Sequence, residues 1–346
     1  MAVHDDSTGY QAARTASAIL DRAARGKLVV AGSDRRTYLH AMLTCEVAPL
    51  QPGSGTYGAF LTPQGRMIAD MRLLELGDLI LMDLDRARAA DVLQRLDQFV
   101  FSEDVQLGDV SDTFGLISLV GPAASGVASR ALGGGAAEGL TSSLLDSWAE
   151  FQNARVSWRG VPVIVAASTE TGARGFDFFA PVEAAGALAD ALSREGAARL
   201  DPAAAEVLRV EAGRPAFGVD MDQDTIPLEA GIEARGISFT KGCYPGQEVV
   251  VRILHRGHGR VARRLAGLLI DGDEAPGPGD LLRAGDRDAG RVTSGVFSPA
   301  LGRPIAMAML QRDFLEPGTQ LTVLHDGTPF PATVTGLPFV QGVGSN

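Results

Sequence analysis

The 346-residue sequence lacks the features that secreted and membrane-spanning proteins need. It has only two cysteines, Cys45 and Cys243, far apart in the chain, and no apolar run of the roughly 18 residues that cross a bilayer. Two distant thiols favour a reducing compartment over a disulfide framework. The first residues are polar and acidic, which is not typical of a signal peptide. We therefore expect a cytoplasmic protein without a membrane partner.

Positive charge is also scarce. Lys and Arg number 31 against 42 Asp and Glu, which gives a net charge of −11 and does not favour nucleic-acid binding. P-loop, H-E-x-x-H, C-x-x-C and G-x-S-x-G motifs are absent from the sequence. Residues 53–58 fit G-x-G-x-x-G, but a strand pattern and Pro63 follow them where a dinucleotide site requires a helix, so we reject that interpretation.

One segment departs from this acidic average. Residues 252–264 contain five Arg, two His and no acid. Clustered arginines hold carboxylates and phosphates, so the segment is a candidate anion site. A solvated linker, or a strand edge that Arg protects from pairing, explains the same pattern equally well.

The order of patterns predicts an α+β fold followed by a barrel. Strand and helix patterns alternate in two similar stretches up to about residue 260, which is typical of two ferredoxin-like halves. The first helix is predicted at residues 11–25. Later, short strands are separated by Gly-rich turns, with a hairpin signal at Asp326-Gly327, which indicates a small β-barrel. The predicted regions are residues 10–260 and 262–346, because a chain of this length forms more than one domain.

The sequence does have an unusual run of reactive side chains at residues 241–248, Lys-Gly-Cys-Tyr-Pro-Gly-Gln-Glu. Two glycines and a proline favour a tight turn there. The turn either presents these groups at a site or is an exposed loop with one half-buried cysteine. Near Cys243, the ammonium of Lys241 would favour the reactive thiolate. One thiol does not hold a metal cluster alone, so we assign no metal ligands.

Asp70 lies in a strand pattern that is otherwise largely apolar. A buried carboxylate is costly unless it is paired or bound. Asp70 therefore either pairs with Arg66 or Arg72, or it serves a site by hydrogen-bonding a donor-rich heterocycle or transferring a proton.

Asp177 stands in a second, aromatic strand pattern and has the same two interpretations. A pterin ring has an N–H edge that a carboxylate accepts in bidentate fashion, and Phe176 would then be an apolar wall; otherwise Phe176 is plain core. Arg209, in the last turns of a helix that begins at Asp201, suits the helix dipole.

The octapeptide resembles Lys-Gly-Cys-Tyr-x-Gly-Gln-Glu, the signature of the YgfZ-type tetrahydrofolate-binding proteins. These are relatives of the glycine-cleavage T-protein (aminomethyltransferase) and are implicated in iron–sulfur cluster assembly. Other parts of the chain resemble blocks of the same superfamily in the same order. These blocks are residues 32–35, 55–70, 175–177, 208–220, 226–231 and 290–307.

The resemblance implies a folate channel between the domains, with tetrahydrofolate or a one-carbon derivative as cofactor. Asp70 matches the acid that T-protein places near the folate reaction centre, and Asp177 matches the acid that holds the pterin. The candidate catalytic residues are Asp70, Lys241 and Cys243. The candidate cofactor-binding residues are Asp70, Phe176, Asp177, Arg209, Tyr244, Gln247 and Glu248.

Two departures from T-protein decide the functional prediction. T-protein has paired acids where this chain has Ala69-Asp70, and it lacks the thiol of Cys243. We therefore expect a tetrahydrofolate-binding protein that assists iron–sulfur cluster assembly or repair, with iron–sulfur client or assembly proteins as partners. The alternative is a folate-dependent aminomethyltransferase that needs a carrier such as a lipoyl protein, or an amine substrate. A folate store or sensor without chemistry is a third possibility, so whether the protein is an enzyme stays open here.

Overall fold

The computed structural model describes residues 7–133, 139–256 and 259–341. The helices in these ranges are α1 (Ser7–Thr15), α2 (Arg35–Met42), α3 (Arg86–Asp97), α4 (Ala124–Ala131), α5 (Ser142–Ser147), α6 (Val182–Arg194), α7 (Pro202–Glu211), α8 (Pro227–Ala230), α9 (Glu233–Gly236) and α10 (Gln247–Arg256). The strands are β1 (Ala18–Asp21), β2 (Gly26–Ala31), β3 (Gly55–Leu61), β4 (Met67–Glu75), β5 (Leu79–Leu84), β6 (Gln106–Asp109), β7 (Phe114–Val120), β8 (Asn153–Trp158), β9 (Val161–Ser168), β10 (Gly175–Pro181), β11 (Ala198–Arg199), β12 (Arg263–Ile270), β13 (Leu281–Ala284), β14 (Arg287–Ser298), β15 (Arg303–Gln311), β16 (Gln320–His325) and β17 (Thr328–Thr335). Within the described ranges, the helices are too short or too polar to cross a membrane.

The first sheet has five antiparallel strands in the order β3-β4-β5-β2-β6. Helices α2 and α3 cover one face of it, where Leu28, Leu39 and Val92 share a core. Helix α3 begins after Asp85 because that side chain accepts a hydrogen bond from the Ala87 amide, which satisfies an otherwise unpaired N–H of the first turn.

The second sheet has six strands in the order β11-β1-β7-β10-β9-β8. Strand β1 pairs in parallel with β11, and the other neighbours are antiparallel. Helices α4 and α6 cover its outer face, where Val127, Phe178 and Leu188 pack in one core.

The inner faces of the two sheets pack against each other. Leu74 and Leu81 of the first sheet share a core with Leu116 and Phe179 of the second. Strand β4 is therefore buried along nearly its whole length, because it is covered on both faces.

The last described part of the chain forms a closed barrel in the order β12-β15-β14-β13-β16-β17. Leu268, Val292 and Val323 are buried in its interior. Asp326 and Gly327 both have positive φ between β16 and β17, as the hairpin signal predicted. The α+β fold with a small C-terminal barrel is thus confirmed. The region boundaries stay a prediction, and residues 342–346 lie outside the described residues.

One local helix prediction was wrong, and the alternatives given for segment 252–264 stay predictions. The helix expected at residues 11–25 ends at Thr15, and β1 follows, because Ala18–Asp21 pairs with β7 in a sheet that the local sequence does not reveal. The segment 252–264 is divided between two elements. Its first residues form the C-terminal end of helix α10, and Arg263 and Arg264 begin strand β12. Of this segment, residues 257–258 lie outside the described residues.

Candidate functional site

A cavity of about 810 Å³ lies where the two stacked sheets meet the barrel. The first sheet contributes Tyr57 and Asp70 to its wall. The rest of the wall comes from residue 150 and from parts of segments 169–174, 212–215, 230–235, 264–266, 315–317 and 335–340. A cavity of this size, with a mixed polar and apolar wall, suits a small-molecule ligand.

Asp70 is held on this wall by Tyr57. The two residues are diagonal neighbours on β3 and β4, since Ala59 is the direct partner of Asp70. The Tyr57 hydroxyl donates a hydrogen bond of 2.8 Å to Asp70 Oδ2. Burial raises the pKa of the Asp70 carboxyl, while Arg25 and the Tyr57 hydrogen bond limit that rise. Asp70 is therefore the sequence-predicted acid that the structure does bring to the cavity.

The ion pairs proposed for Asp70 do not form. Arg66 lies beside Asp224, and Arg72 pairs with Asp83 and Asp177. The carboxylate of Asp70 thus remains available to a ligand.

Arg235 connects two glutamates on the same wall. Its Nη2 atom lies 2.6 Å from Oε1 of Glu150 and 2.6 Å from Oε1 of Glu170. The guanidinium also stacks on Tyr57, 4.6 Å from the ring centroid, and on Phe151 at 5.4 Å. Although burial favours the neutral acid, Arg235 holds the pKa of Glu170 well below its usual range. The wall therefore carries fixed charges that are already in place before a ligand arrives.

Two buried N–H groups beside the cavity have no hydrogen-bond partner among the described residues. They are Nε of Arg174 and Nε of Arg235, and both residues line the cavity. Unpaired buried donors are rare in folded proteins and indicate a place where a ligand or water completes the bonding.

Asp177 does not line this cavity, which corrects the position expected for it. On β10, Phe176 and Phe178 face the helices, so the intervening Asp177 faces the first sheet. There it is buried, pairs with Arg72 and accepts a hydrogen bond from Ser118. Its carboxylate is thus occupied by protein donors.

Phe176 and Arg209 also lie elsewhere. Phe176 is 1% exposed and packs edge-on against Trp148 in the outer core, so it is no wall of the cavity. Arg209 pairs with Asp220 at 2.6 Å and donates to Ser294 of the barrel at 2.8 Å. Arg209 therefore fastens α7 to the barrel and has its donors engaged.

Lys241 does not present its amine at a reactive surface. Its Nζ atom donates to the carbonyl oxygens of His40, Leu43 and Cys45, at the end of α2. A cation there complements the helix dipole and satisfies carbonyls that have no partner in the helix. The ammonium thus lies beside buried Cys45 rather than beside exposed Cys243.

The rest of the 241–248 turn does not reach the cavity either. Tyr244 is buried in the core between the sheets, and Gln247 Nε2 donates to the Gly242 carbonyl at 3.4 Å. Cys243 and Glu248 are exposed. Catalytic or cofactor roles for these side chains stay predictions that the geometry does not support.

The most strongly coupled groups of the cavity were missed by the sequence analysis. Glu150 and Glu170 stand in two separate turns and Arg235 in the short helix α9, and nothing in their spacing brings them together. Tyr57 lies inside the matched block of residues 55–70, and its aromatic hydroxyl next to a strand acid was the one available signal.

Comparison with known proteins gives matches along nearly the whole chain. Residues 6–241 match the family model described as "GCVT N-terminal domain", and residues 263–341 match "Glycine cleavage T-protein C-terminal barrel domain". The chain is 31% identical to the aminomethyltransferase of Saccharopolyspora erythraea over 343 residues, which cover 97% of this chain and 90% of that protein. It is 30% identical to the aminomethyltransferase of Streptomyces coelicolor over 339 residues, which cover 96% and 88%.

The fold has a close match among solved structures. The glycine cleavage system aminomethyltransferase T from Bartonella henselae superposes with a TM-score of 0.84 over 96% of this chain and 89% of that chain, at 23% identity. This match shows the shared fold.

These matches correct the function expected from the sequence. The relatives are aminomethyltransferases, so the prediction of a role in iron–sulfur cluster assembly, with iron–sulfur proteins as partners, is wrong. The superfamily is confirmed, and the YgfZ-type subgroup is not. Aminomethyltransferases of this family bind tetrahydrofolate, so the expected cofactor agrees with the family.

Proposed function

Because the chain belongs to the glycine cleavage T-protein family, we propose that it is a tetrahydrofolate-dependent one-carbon transferase of the aminomethyl type. The observation that carries this proposal is the carboxyl of Asp70, held by Tyr57 on the wall of a cavity of about 810 Å³. That volume lies within the range of small-molecule sites in proteins.

Asp70 is the acid–base group in this proposal. The Tyr57 hydrogen bond fixes the orientation of its carboxyl, and Oδ1 is the oxygen that Tyr57 does not contact. Because burial raises the pKa of Asp70, its protonated form persists closer to neutral pH than that of an exposed carboxyl. A carboxyl with these properties holds or accepts a proton at Oδ1.

The residues present fit tetrahydrofolate. When bound, the cofactor supplies the nitrogen atoms that accept a one-carbon unit. Its pterin ring has an N–H edge that needs carboxylate acceptors, which Asp70, Glu150 and Glu170 provide on the cavity wall.

The donor of the one-carbon unit in this proposal is an aminomethyl group on a lipoyl carrier protein. The support is the solved relative from Bartonella henselae, which is named as the aminomethyltransferase of a glycine cleavage system.

The test is turnover with purified components. The protein is mixed with an aminomethylated lipoyl carrier and tetrahydrofolate, and ammonia release is measured. We expect release that requires all three components and falls by about 100-fold or more in kcat/KM for Asp70→Asn, the usual contribution of a general acid–base group. Glu248→Gln, which changes an exposed acid outside the cavity, serves as the control and should keep the wild-type rate. Tetrahydrofolate binding without ammonia release by the wild type would contradict aminomethyl transfer.

A further inference from the structure

The charged groups on the cavity wall are unequally paired. Glu150 and Glu170 both face Arg235, and Arg264 faces Glu233. Arg214 lines the same cavity but, among the described residues, has no carboxylate within ion-pair distance. Among the described residues, this wall thus offers two guanidiniums without an ion pair, those of Arg174 and Arg214. Arg174 donates to the backbone carbonyls of Leu145 and Trp148, so Arg214 is the one with fewer hydrogen bonds to the protein.

The backbone directs Arg214 into the cavity. Helix α7 ends at Glu211, and Gly213 turns the chain with φ of +61°, a conformation that favours glycine. A Cβ atom on Gly213 would lie 2.8 Å from Cβ of Leu337, so the turn is also sterically closed to larger residues. Arg214 follows this fixed turn, and its direction is therefore built into the fold.

The hydrogen bonds of Arg214 leave most of its donors unused. Its Nη2 atom donates to Thr169 Oγ1 at 3.1 Å, and no other side-chain bond of this guanidinium is present among the described residues. The hydroxyl proton of Thr169 in turn goes to Glu150. Since Thr169 is neutral and a guanidinium has five N–H groups in a fixed fork, Arg214 retains both its charge and its bidentate edge.

The surroundings make an anion favourable at this point. Burial and the neighbouring charge of Arg235 lower the pKa of Arg214, and Glu170 and Glu150 offset this only in part. A negative group against Arg214 would offset this lowering of its pKa, because an opposite charge stabilises the ionised form of a buried group.

We infer that Arg214 binds a carboxylate of the ligand inside this cavity. For the identity of that ligand the inference rests on the proposed function, since tetrahydrofolate carries carboxylates on its glutamyl tail. A small carboxylic acid that enters without a pterin has the same chemistry. The two sources are distinguished by probes that carry the pterin and the carboxylate separately.

The experiment compares the wild type with Arg214→Gln and with a control, Arg155→Gln. Arg155 is a surface arginine on β8 whose partner is Asp78, 3.0 Å away, and it does not line the cavity. Three probes are titrated calorimetrically or by thermal shift: tetrahydrofolate, 6-methyltetrahydropterin, which lacks a carboxylate, and glutarate, which lacks a pterin. Arg214→Lys is added as a second variant, because it keeps the positive charge and removes the planar fork of N–H groups.

The expected loss of binding is selective for the probes that carry a carboxylate. Arg214→Gln should weaken tetrahydrofolate binding about 10- to 100-fold, the usual effect of removing one charge-assisted hydrogen-bonded pair, and change 6-methyltetrahydropterin binding less than about 2-fold. Arg214→Lys should lose less affinity for tetrahydrofolate than Arg214→Gln. Glutarate should stabilise the wild type and Arg155→Gln but not Arg214→Gln.

Other outcomes have defined meanings. Loss of glutarate binding alone, with tetrahydrofolate unaffected, supports the carboxylate site and assigns it to a small acid. Equal losses for both pterin probes, or no loss for any probe, overturn the inference while the proposed function stands. Failure of tetrahydrofolate to bind the wild type, with glutarate still dependent on Arg214, contradicts the proposed function and leaves the carboxylate site intact.

Discussion

Tyr57 donates its hydroxyl to Asp70 at 2.8 Å while the face of its ring carries the guanidinium of Arg235, 4.6 Å from the centroid. One aromatic side chain therefore links the acid of the cavity to the ion pairs of Arg235 with Glu150 and Glu170. A cation on the ring face and an acceptor at the hydroxyl restrain both ends of the phenol. Asp70 is positioned through Tyr57 rather than by a charged partner of its own.

Replacing Tyr57 by Phe should shift the pH dependence of the reaction. The Tyr57 hydrogen bond stabilises ionised Asp70, so its loss raises the pKa of Asp70 further. If ionised Asp70 is the active form, the acid limb of the kcat/KM profile moves to higher pH, and the rate near neutrality falls about 10-fold. The profile is measured for wild type and Tyr57→Phe over the same pH range. An unshifted acid limb would mean that the Tyr57 hydrogen bond does not influence the pKa of Asp70.

The stability of the layer between the two sheets should depend on Asp83. This residue is 1% exposed and pairs with Arg25 and Arg72. Burial opposes its ionisation, but the two arginines hold its pKa well below the usual range. We expect Asp83→Asn to lower the free energy of unfolding at pH 7 by about 3–5 kcal/mol, because it leaves buried arginines without a counter-charge.

The pH dependence of that loss has a definite sign. A carboxyl whose pKa is depressed in the folded state contributes stability above its unfolded pKa, about 3.9 for Asp, and loses it as pH falls toward the folded value. The difference between wild type and Asp83→Asn should therefore shrink below about pH 4. Urea unfolding at pH 7 and at the lowest pH where both proteins fold tests this. A difference that stays constant with pH would mean that packing, not charge, explains the loss.

Lys241 should matter for stability and Cys243 should not. Removing the Lys241 ammonium leaves the carbonyls of His40, Leu43 and Cys45 without their donor. We expect Lys241→Met to cost about 2–4 kcal/mol, as for the loss of hydrogen bonds from a charged group. Cys243→Ser, on the exposed side of the same turn, should stay within about 0.5 kcal/mol. Chemical denaturation measures both, and the reverse order would contradict the structural role of Lys241 at the end of α2.

The fold was predictable from sequence because its signals are local. Strand alternation, helix caps such as Asp85, and the Asp326-Gly327 hairpin each act within a few residues. Strand β1 was missed because Ala18–Asp21 becomes a strand only by pairing with β7, about 100 residues later. Helix α10 was missed because consecutive valines at its centre favour a strand on local grounds.

The site was harder to predict because its contacts join distant segments. Asp177 had two interpretations in its own strand, an ion pair or a ligand site, and its partner Arg72 lies on the other sheet, so no local pattern decides between them. The turn at 241–248 concentrates reactive groups in sequence, yet the fold places the Lys241 ammonium against the end of α2. Arg235 and its two glutamates come from segments that meet only in the folded chain.

Tetrahydrofolate binding to wild type, Asp70→Asn and Glu248→Gln tests the central claim most directly. The titration compares one acid on the cavity wall with one exposed acid of the 241–248 turn. The account predicts wild-type affinity for Glu248→Gln and a loss of about 10-fold or more for Asp70→Asn, since a charged acceptor is replaced by a neutral amide. Loss of binding in Glu248→Gln with unchanged binding in Asp70→Asn would place the folate at the turn and contradict the cavity as its site.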